Sequence, residues 1–164
     1  MVFQPKYTPS GAKFRYYNQF TALQDRETYS FWEHYFHVSQ HKTHEEAWFL
    51  MQTRWMLWLE EGDLLRLLSA IPRAWLADGQ TISLKRVASY FGPLSFTVES
   101  QLDRRRIVAS LECAGKHKPA TVLVRLPHPE GRKAIKVEGG VYDAARETVR
   151  IAPFKGKAAL AVYY

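Results

Sequence analysis

The first residues with chemical potential are four histidines. His34, His37, His41 and His44 recur at spacings of three, four and three. One continuous helix would align them on a single face, and imidazole is the commonest metal-ligating side chain. The sequence also weighs against a metal. "THEE" at 43–46 reads as a capping box, in which Thr43 accepts from the backbone three residues on and Glu46 reaches back to the Thr43 amide. A helix starting there turns the chain between His41 and His44 and breaks the row. "HEEAW" lacks the second histidine of an HExxH pair. The expectation is polar helix faces and ends, with no bound metal.

Carboxylates come next. Glu45–Glu46 and Glu60–Glu61, with Asp63 nearby, are the acidic groupings. Glycoside hydrolysis needs two carboxylates about 5–10 Å apart across the scissile bond. Neighbours on a helix point about 100° apart, so neither doublet makes such a pair unaided. Glu45 and Glu46 suit a helix N-terminus, whereas Glu60 and Glu61 at a helix C-terminus oppose the dipole. Solvated helix ends are the expectation for both, and no catalytic residue is assigned. There is no Gly-rich phosphate loop and no GxSxG elbow, so no cofactor is expected. "LDRRRI" (102–107) makes a basic hairpin tip, and Arg104 and Arg105 are weak candidates for phosphate or acidic glycan. Without interleaved aromatics it lacks the stacking half of a nucleic-acid site, and no nucleic-acid partner is expected. Trp75, Tyr90 and Phe91 flank the first strand of the second half. Core packing is the default for them, with sugar stacking by Trp75 or Tyr90 as the alternative.

These residues need elements to carry them. From Thr28, Phe31, Trp32, Tyr35, Phe36 and Val38 recur at helical spacing. A second helix from about His44 carries Trp48, Met51, Trp55 and Trp58, with Phe49, Leu50, Met56 and Leu57 beside them. So broad a girdle predicts burial on more than one side. "EEGD" ends that helix, with Gly62 as its C′ residue. "DLLRLLSAIP" reads equally as more helix or as a strand, and Pro72 stops it either way. Asp78-Gly79 is a turn. Beyond it the period becomes two, in "TISLKRV" (81–87), "LSFTVESQL" (94–102), "RIVASLEC" (106–113), "TVLVRLP" (121–127), "AIKVEG" (134–139), "TVRIAP" (148–153) and "ALAVYY" (159–164). The predicted fold is α+β by segregation: two main helices, then an all-β antiparallel sandwich of about seven strands. The domains are expected at 1–78 and 79–164.

Bulk properties fit a packed protein. The 164 residues are 46% hydrophobic and 14% aromatic, enough for a core. The net charge of +7 is uneven: residues 79–164 hold 15 Lys and Arg against 7 Asp and Glu, whereas residues 1–78 hold 8 against 9. A basic second half means either an anionic partner or a solvated surface. The single cysteine, Cys113, excludes an internal disulfide and reads as a buried strand residue. No run of about 18 apolar residues exists, so no membrane association is expected. "MVFQPKYTPSGAKF" has no apolar h-region, and no secretory signal is expected from it.

One resemblance spans the chain from about residue 47. "MLWLEEGDLLRLLSAIPRAWLADGQTISLKRVASYFGPLSFTVES", then "RLPHPEGRKAIKVEGG" and "ALAVYY", resembles the C-terminal region of large bacterial glycoside-hydrolase-like proteins. Those proteins carry a six-hairpin (α/α)6 toroid followed by a β-sandwich. The resemblance implies that 1–78 is a toroid remnant with linker and 79–164 the C-terminal sandwich. It implies a non-catalytic module or fragment that supports the toroid, with the active site elsewhere and the parent secreted or periplasmic. The implied partners are the missing toroid domain or a self-associating copy, and carbohydrate. The alternative function is a basic sandwich that binds an anionic polysaccharide.

Overall fold

The structure, a computed structural model, describes residues 24, 25, 27, 30–32 and 43–164. Two compact units emerge. The first takes the described residues up to Leu57 together with Ser69–Ile71; the second takes Trp58–Leu68 and Pro72–Tyr164. The units part after Leu57, where the sequence reading put the boundary at 78/79.

In the first unit β1 (Gln24–Asp25) pairs antiparallel with β2 (Ser30–Phe31). Asp25 Oδ1 accepts the Glu27 amide at 2.9 Å, a side-chain-closed turn that reverses the chain after β1. Helix α1 (Thr43–Leu57) carries Glu45 and Glu46 in its first turn and Arg54 in its last, as the macrodipole favours. The Phe49 ring lies 4.9 Å from that of Phe31, and Trp48 meets Trp55 edge-on at 6.4 Å. Two expectations are corrected here. Ser30 and Phe31 pair as a strand, so the expected helix does not run through them; Thr28, Tyr35, Phe36 and Val38 lie outside the described residues. The girdle is not buried all round either. Within α1 only Met56 is buried, while Trp48, Leu50 and Met51 are 46%, 68% and 43% exposed. At 100° per residue these side chains fan around the axis, and a neighbour on one side leaves the others in solvent.

The second unit is built from β3 (Trp58–Glu61), β4 (Leu64–Leu67), β5 (Thr81–Val87), β6 (Leu94–Gln101), β7 (Arg106–Cys113), β8 (Thr121–Arg125), β9 (Lys136–Glu138), β10 (Val141–Asp143), β11 (Thr148–Ile151) and β12 (Lys157–Tyr163), with two 3-10 turns, η1 (Arg73–Leu76) and η2 (Leu102–Arg104). Sheet I has the order β10-β11-β8-β4-β3, and sheet II the order β5-β6-β7-β12-β9. Each sheet buries alternate residues: Leu65, Leu67, Val122, Val124 and Val149 in sheet I, and Leu94, Phe96, Val98, Ile107, Leu111 and Val162 in sheet II. That alternation puts one face of each sheet into the core. Cys113 ends β7 with its thiol buried, and burial pushes its pKa up to about 11.

The predicted fold class is therefore corrected. The described residues form one α-helix and three sheets, and the chain is mostly β, rather than two main helices followed by a seven-strand sandwich. The seven period-two stretches do fold as strands, but β3, β4 and β10 join them. Gly62-Asp63 is a two-residue hairpin loop with Glu61 opposite Leu64, not a helix end. Gly62 takes φ +58 at the first loop position, the conformation that suits the twist of a tight hairpin. Trp58 thus leaves the helical row and enters a strand. The sheets are not wholly antiparallel, because β4 runs parallel to β8 with Leu64 in register with Thr121. Between β9 and β10, "GG" carries the chain from sheet II to sheet I. A Cβ on Gly139 would fall 2.2 Å from the Ala159 carbonyl oxygen, and one on Gly140 2.6 Å from that of Arg150. Only glycine passes there. Among the described residues no helix is long and apolar enough to cross a membrane.

Candidate functional site

"PRAWLADG" (72–79) builds one end of the second unit. Pro72, at φ −62, leads into η1, whose Leu76 is fully buried. Arg73 points into the unit's own structure. Its Nη1 donates to the His128 carbonyl at 2.9 Å and lies 2.7 Å from Glu147, and Nη2 donates to Glu147 at 2.8 Å. Glu147 also takes Arg125 at 3.4 Å. Burial pulls the Arg125 guanidinium below its ordinary value, and Glu147 opposes that shift. One carboxylate thus ties together η1, β8 and the turn before β11.

The segment "LPHPEG" closes over this network. The Gly131 amide donates back to the His128 carbonyl at 3.0 Å, with Pro129 and Glu130 between them. The Glu130 amide donates to His128 Nδ1 at 3.0 Å. A nitrogen that accepts is unprotonated, so neutral His128 carries its proton on Nε2. Burial, with help from Arg132, lowers its pKa and keeps it neutral at pH 7. The ring packs edge-on to Tyr164 at 4.8 Å, and the Tyr164 hydroxyl donates to the Leu126 carbonyl. Burial pushes that phenol well above its ordinary value.

The η2 tip completes the end. Asp78 Oδ1 accepts the amides of Leu102 at 2.7 Å and Asp103 at 3.2 Å. Arg105, at φ +57, returns its Nε to the Tyr164 carbonyl at 3.1 Å. Between these pieces lies a depression of about 430 Å³, lined by Asp78, Asp103, Arg105, His128, Glu130, Arg132 and Tyr164 among others. Its lining carries both acceptors and donors. Glu130 and Arg132 pair at 2.8 Å on the exposed rim.

The candidates from sequence do not converge. Arg105 lines the depression; Arg104 stands exposed on η2, with Asp103 at 3.8 Å. Trp75 is half-buried on η1 at the same end. Tyr90 lies before β6 and η2 after it, so the strand's eight residues, about 25 Å at ~3.3 Å each, separate them. His44 sits in the first turn of α1, 3.6 Å from Glu45, while His34, His37 and His41 lie outside the described residues. Among the described residues no group of three or more His, Cys, Asp or Glu is arranged to hold a metal. Glu60 and Glu61 occupy a strand and point to opposite faces. Glu60 is buried and accepts the Tyr90 amide at 3.2 Å; Glu61 takes Arg66 at 2.7 Å on the surface. Sequence reasoning missed His128, Glu147, Arg132 and Tyr164. The one available signal was "PHP", a histidine held between two prolines. Compared with known proteins, the chain matches no family model, no curated relative and no solved structure.

Proposed function

We propose that this chain is a non-catalytic module of a glycoside-hydrolase-like, carbohydrate-active protein, and that the depression beside η2 holds a neutral saccharide. The observation that carries the reading is the state of the depression's acids and bases. Asp78 is spent on two backbone amides, Glu130 on Arg132, and His128 is neutral with Nδ1 engaged. Groups so anchored are placed to hold hydroxyls rather than to exchange protons. A sugar hydroxyl both donates and accepts, so vicinal hydroxyls suit a wall that carries both carboxylates and guanidiniums. A volume of about 430 Å³ is within the range of small-ligand sites. In this reading α1, with Trp48, Leu50 and Met51 exposed, meets the helical remainder of the parent protein.

The test is binding of the full chain to soluble neutral glucans, xylans and mannans by affinity electrophoresis, with reducing-sugar release followed in parallel. Retardation by at least one neutral glycan, lost in Arg105→Ala/Arg132→Ala and without sugar release, is the expected result. Steady hydrolysis that disappears with Glu45→Gln or Glu46→Gln overturns the reading, and so does the absence of retardation by every neutral glycan.

A further inference from the structure

Sheet II ends in two edges of unlike length, β5 with seven residues and β9 with three. In sheet I the edge β10 also has three, and the edge β3 has four that include Glu60 and Glu61. Short or charged edges are the usual guards against pairing with another chain. β5 is guarded only at its far end. There the register with β6 shifts between Leu84 and Val87, and Arg86 takes φ +52. The stretch before it, Thr81 to Leu84, is regular and pairs residue for residue with β6.

One hydrogen bond fixes which way the main chain of β5 points. The Ser100 amide donates to the Gln80 carbonyl at 2.9 Å. Gln80 therefore turns its main-chain groups toward β6, and so do Ile82 and Leu84, two and four residues on. Thr81, Ser83 and Lys85 turn theirs the other way, off the edge of the sheet. All three are exposed. Ile82 and Leu84 are half-buried beside Val98 and Phe96, on the face that meets the core.

We propose that β5 is a self-docking edge, on which a second copy of this chain lays its own β5 antiparallel and joins two copies of sheet II into one ten-stranded sheet. The register follows from "TISLK" (81–85). Outward main-chain groups must meet outward groups, so odd-numbered residues face odd-numbered ones. Centring the pair on Ser83 sets Ser83 opposite the second copy's Ser83, Thr81 opposite Lys85 and Ile82 opposite Leu84. That register uses every outward-facing residue of the stretch. A centre at Leu84 would set Ile82 against Arg86 at the irregularity, and a centre at Ile82 would set Lys85 against Gly79, ahead of the strand. Centred on Ser83, the side chains agree as well. Ile82 and Leu84 meet on the core-facing side, and no lysine stands opposite a lysine. Glu99 is the neighbour of Thr81 on β6, so the second copy's Lys85 lies two strands, about 10 Å, from that carboxylate. A foreign strand would match the main chain alone; the reciprocal fit of side chains favours a second copy.

The contact is small, so a disulfide traps it better than sedimentation weighs it. Ser83→Cys, Thr81→Cys and Lys85→Cys are each made in the full chain, with Trp48→Ser/Leu50→Lys/Met51→Lys added so that α1 does not bring copies together. Each is oxidised in glutathione buffer, where buried Cys113 is shielded. Facing residues of a hydrogen-bonded pair lie about 5.5 Å apart at Cα, within disulfide reach. Thr81 and the same residue of the second copy are offset by four residues, about 13 Å. A cross-linked dimer is expected from Ser83→Cys, at least tenfold less from Thr81→Cys or Lys85→Cys alone, and a dimer again when those two are mixed. Adding Ser83→Pro to the mixed pair removes an outward N–H and leaves the ladder with β6 its donors. It should lower cross-linking at least tenfold with near-UV circular dichroism unchanged; if that spectrum is lost, the cysteine pattern alone decides. Equal cross-linking in all three single variants overturns the proposal, and so does cross-linking that persists in folded Ser83→Pro. If the edge takes a foreign strand or none, Ser83→Cys stays monomeric, and the proposal falls.

Discussion

Glu147 is the residue on which one end of the second unit depends. It neutralises Arg73 at 2.7 Å and Arg125 at 3.4 Å, and both its carboxylate and the Arg125 side chain are mostly withdrawn from solvent. Removing it takes from Arg125, mostly withdrawn from solvent, the opposite charge that Glu147 supplies, the costly half of a broken pair. Glu147→Ala should lower the unfolding free energy by about 2 kcal/mol in urea titration. Glu61→Ala, which breaks an exposed pair with Arg66, should change it by less than about 0.5 kcal/mol. His128 gives a pH signature with a definite sign. Its pKa is lower folded than unfolded, so below its ordinary value near 6.5 the unfolded chain takes up the proton first. Stability attributable to His128 is complete above that value and is lost as pH falls below it. Urea midpoints at about pH 7.5, 6 and 5 should fall in the wild type and fall less steeply in His128→Gln, whose amide oxygen can still accept from Glu130.

At the scale of elements, glycines govern the loops. Gly115→Ala would force a methyl group against the Phe91 carbonyl, which backbone on both sides holds in place. It should cost about 3 kcal/mol or more, enough to make the purified chain melt well below the wild type or fail to accumulate. Gly62→Ala meets no atom within 4 Å and carries only the cost of φ +58, about 1 kcal/mol. Such elements were unevenly legible from sequence. The strands of sheet II announce themselves because one face is buried and the other wet, which writes period two into "LSFTVESQ" and "RIVASLEC". β3 was hidden because Trp58 continues the helical row of Trp48, Met51 and Trp55. The contrary sign was Glu60–Glu61: an acidic doublet is ill-placed at a helix C-terminus and well placed on a strand, where its two members part to opposite faces. β4 is apolar at three of four positions and shows no period. β10 has only three residues and sits inside what reads as a turn. The depression was illegible for a different reason. Its parts, from 78 to 164, are brought together by tertiary contact alone, and "PHP" says nothing of which carbonyl or guanidinium will meet the histidine.

For the whole molecule, the exposed apolar residues of α1 are the property with the largest solution consequence. Trp48, Leu50 and Met51 in water favour association of this chain with a copy of itself or with a helical partner. Sedimentation velocity should show a concentration-dependent shift to larger species that persists at high salt. Trp48→Ser/Leu50→Lys/Met51→Lys should abolish it while the urea midpoint of the second unit stays the same. The +7 charge acts in the opposite direction and is screened by salt, so raising the salt should strengthen the association. The parallel contact of β4 with β8 bears on how this molecule reaches its fold at all. β5, β6 and β7 lie between the two partners in the chain and form their own antiparallel meander in the other sheet. That meander needs only neighbouring segments, whereas sheet I must close a long loop before Leu64 finds Thr121. The connectivity predicts an order of assembly: β5–β7 condenses before the long-range pairing of β4 with β8. Mutations in β6, such as Val98→Ala, should slow refolding, whereas Leu65→Ala in β4 should chiefly speed unfolding.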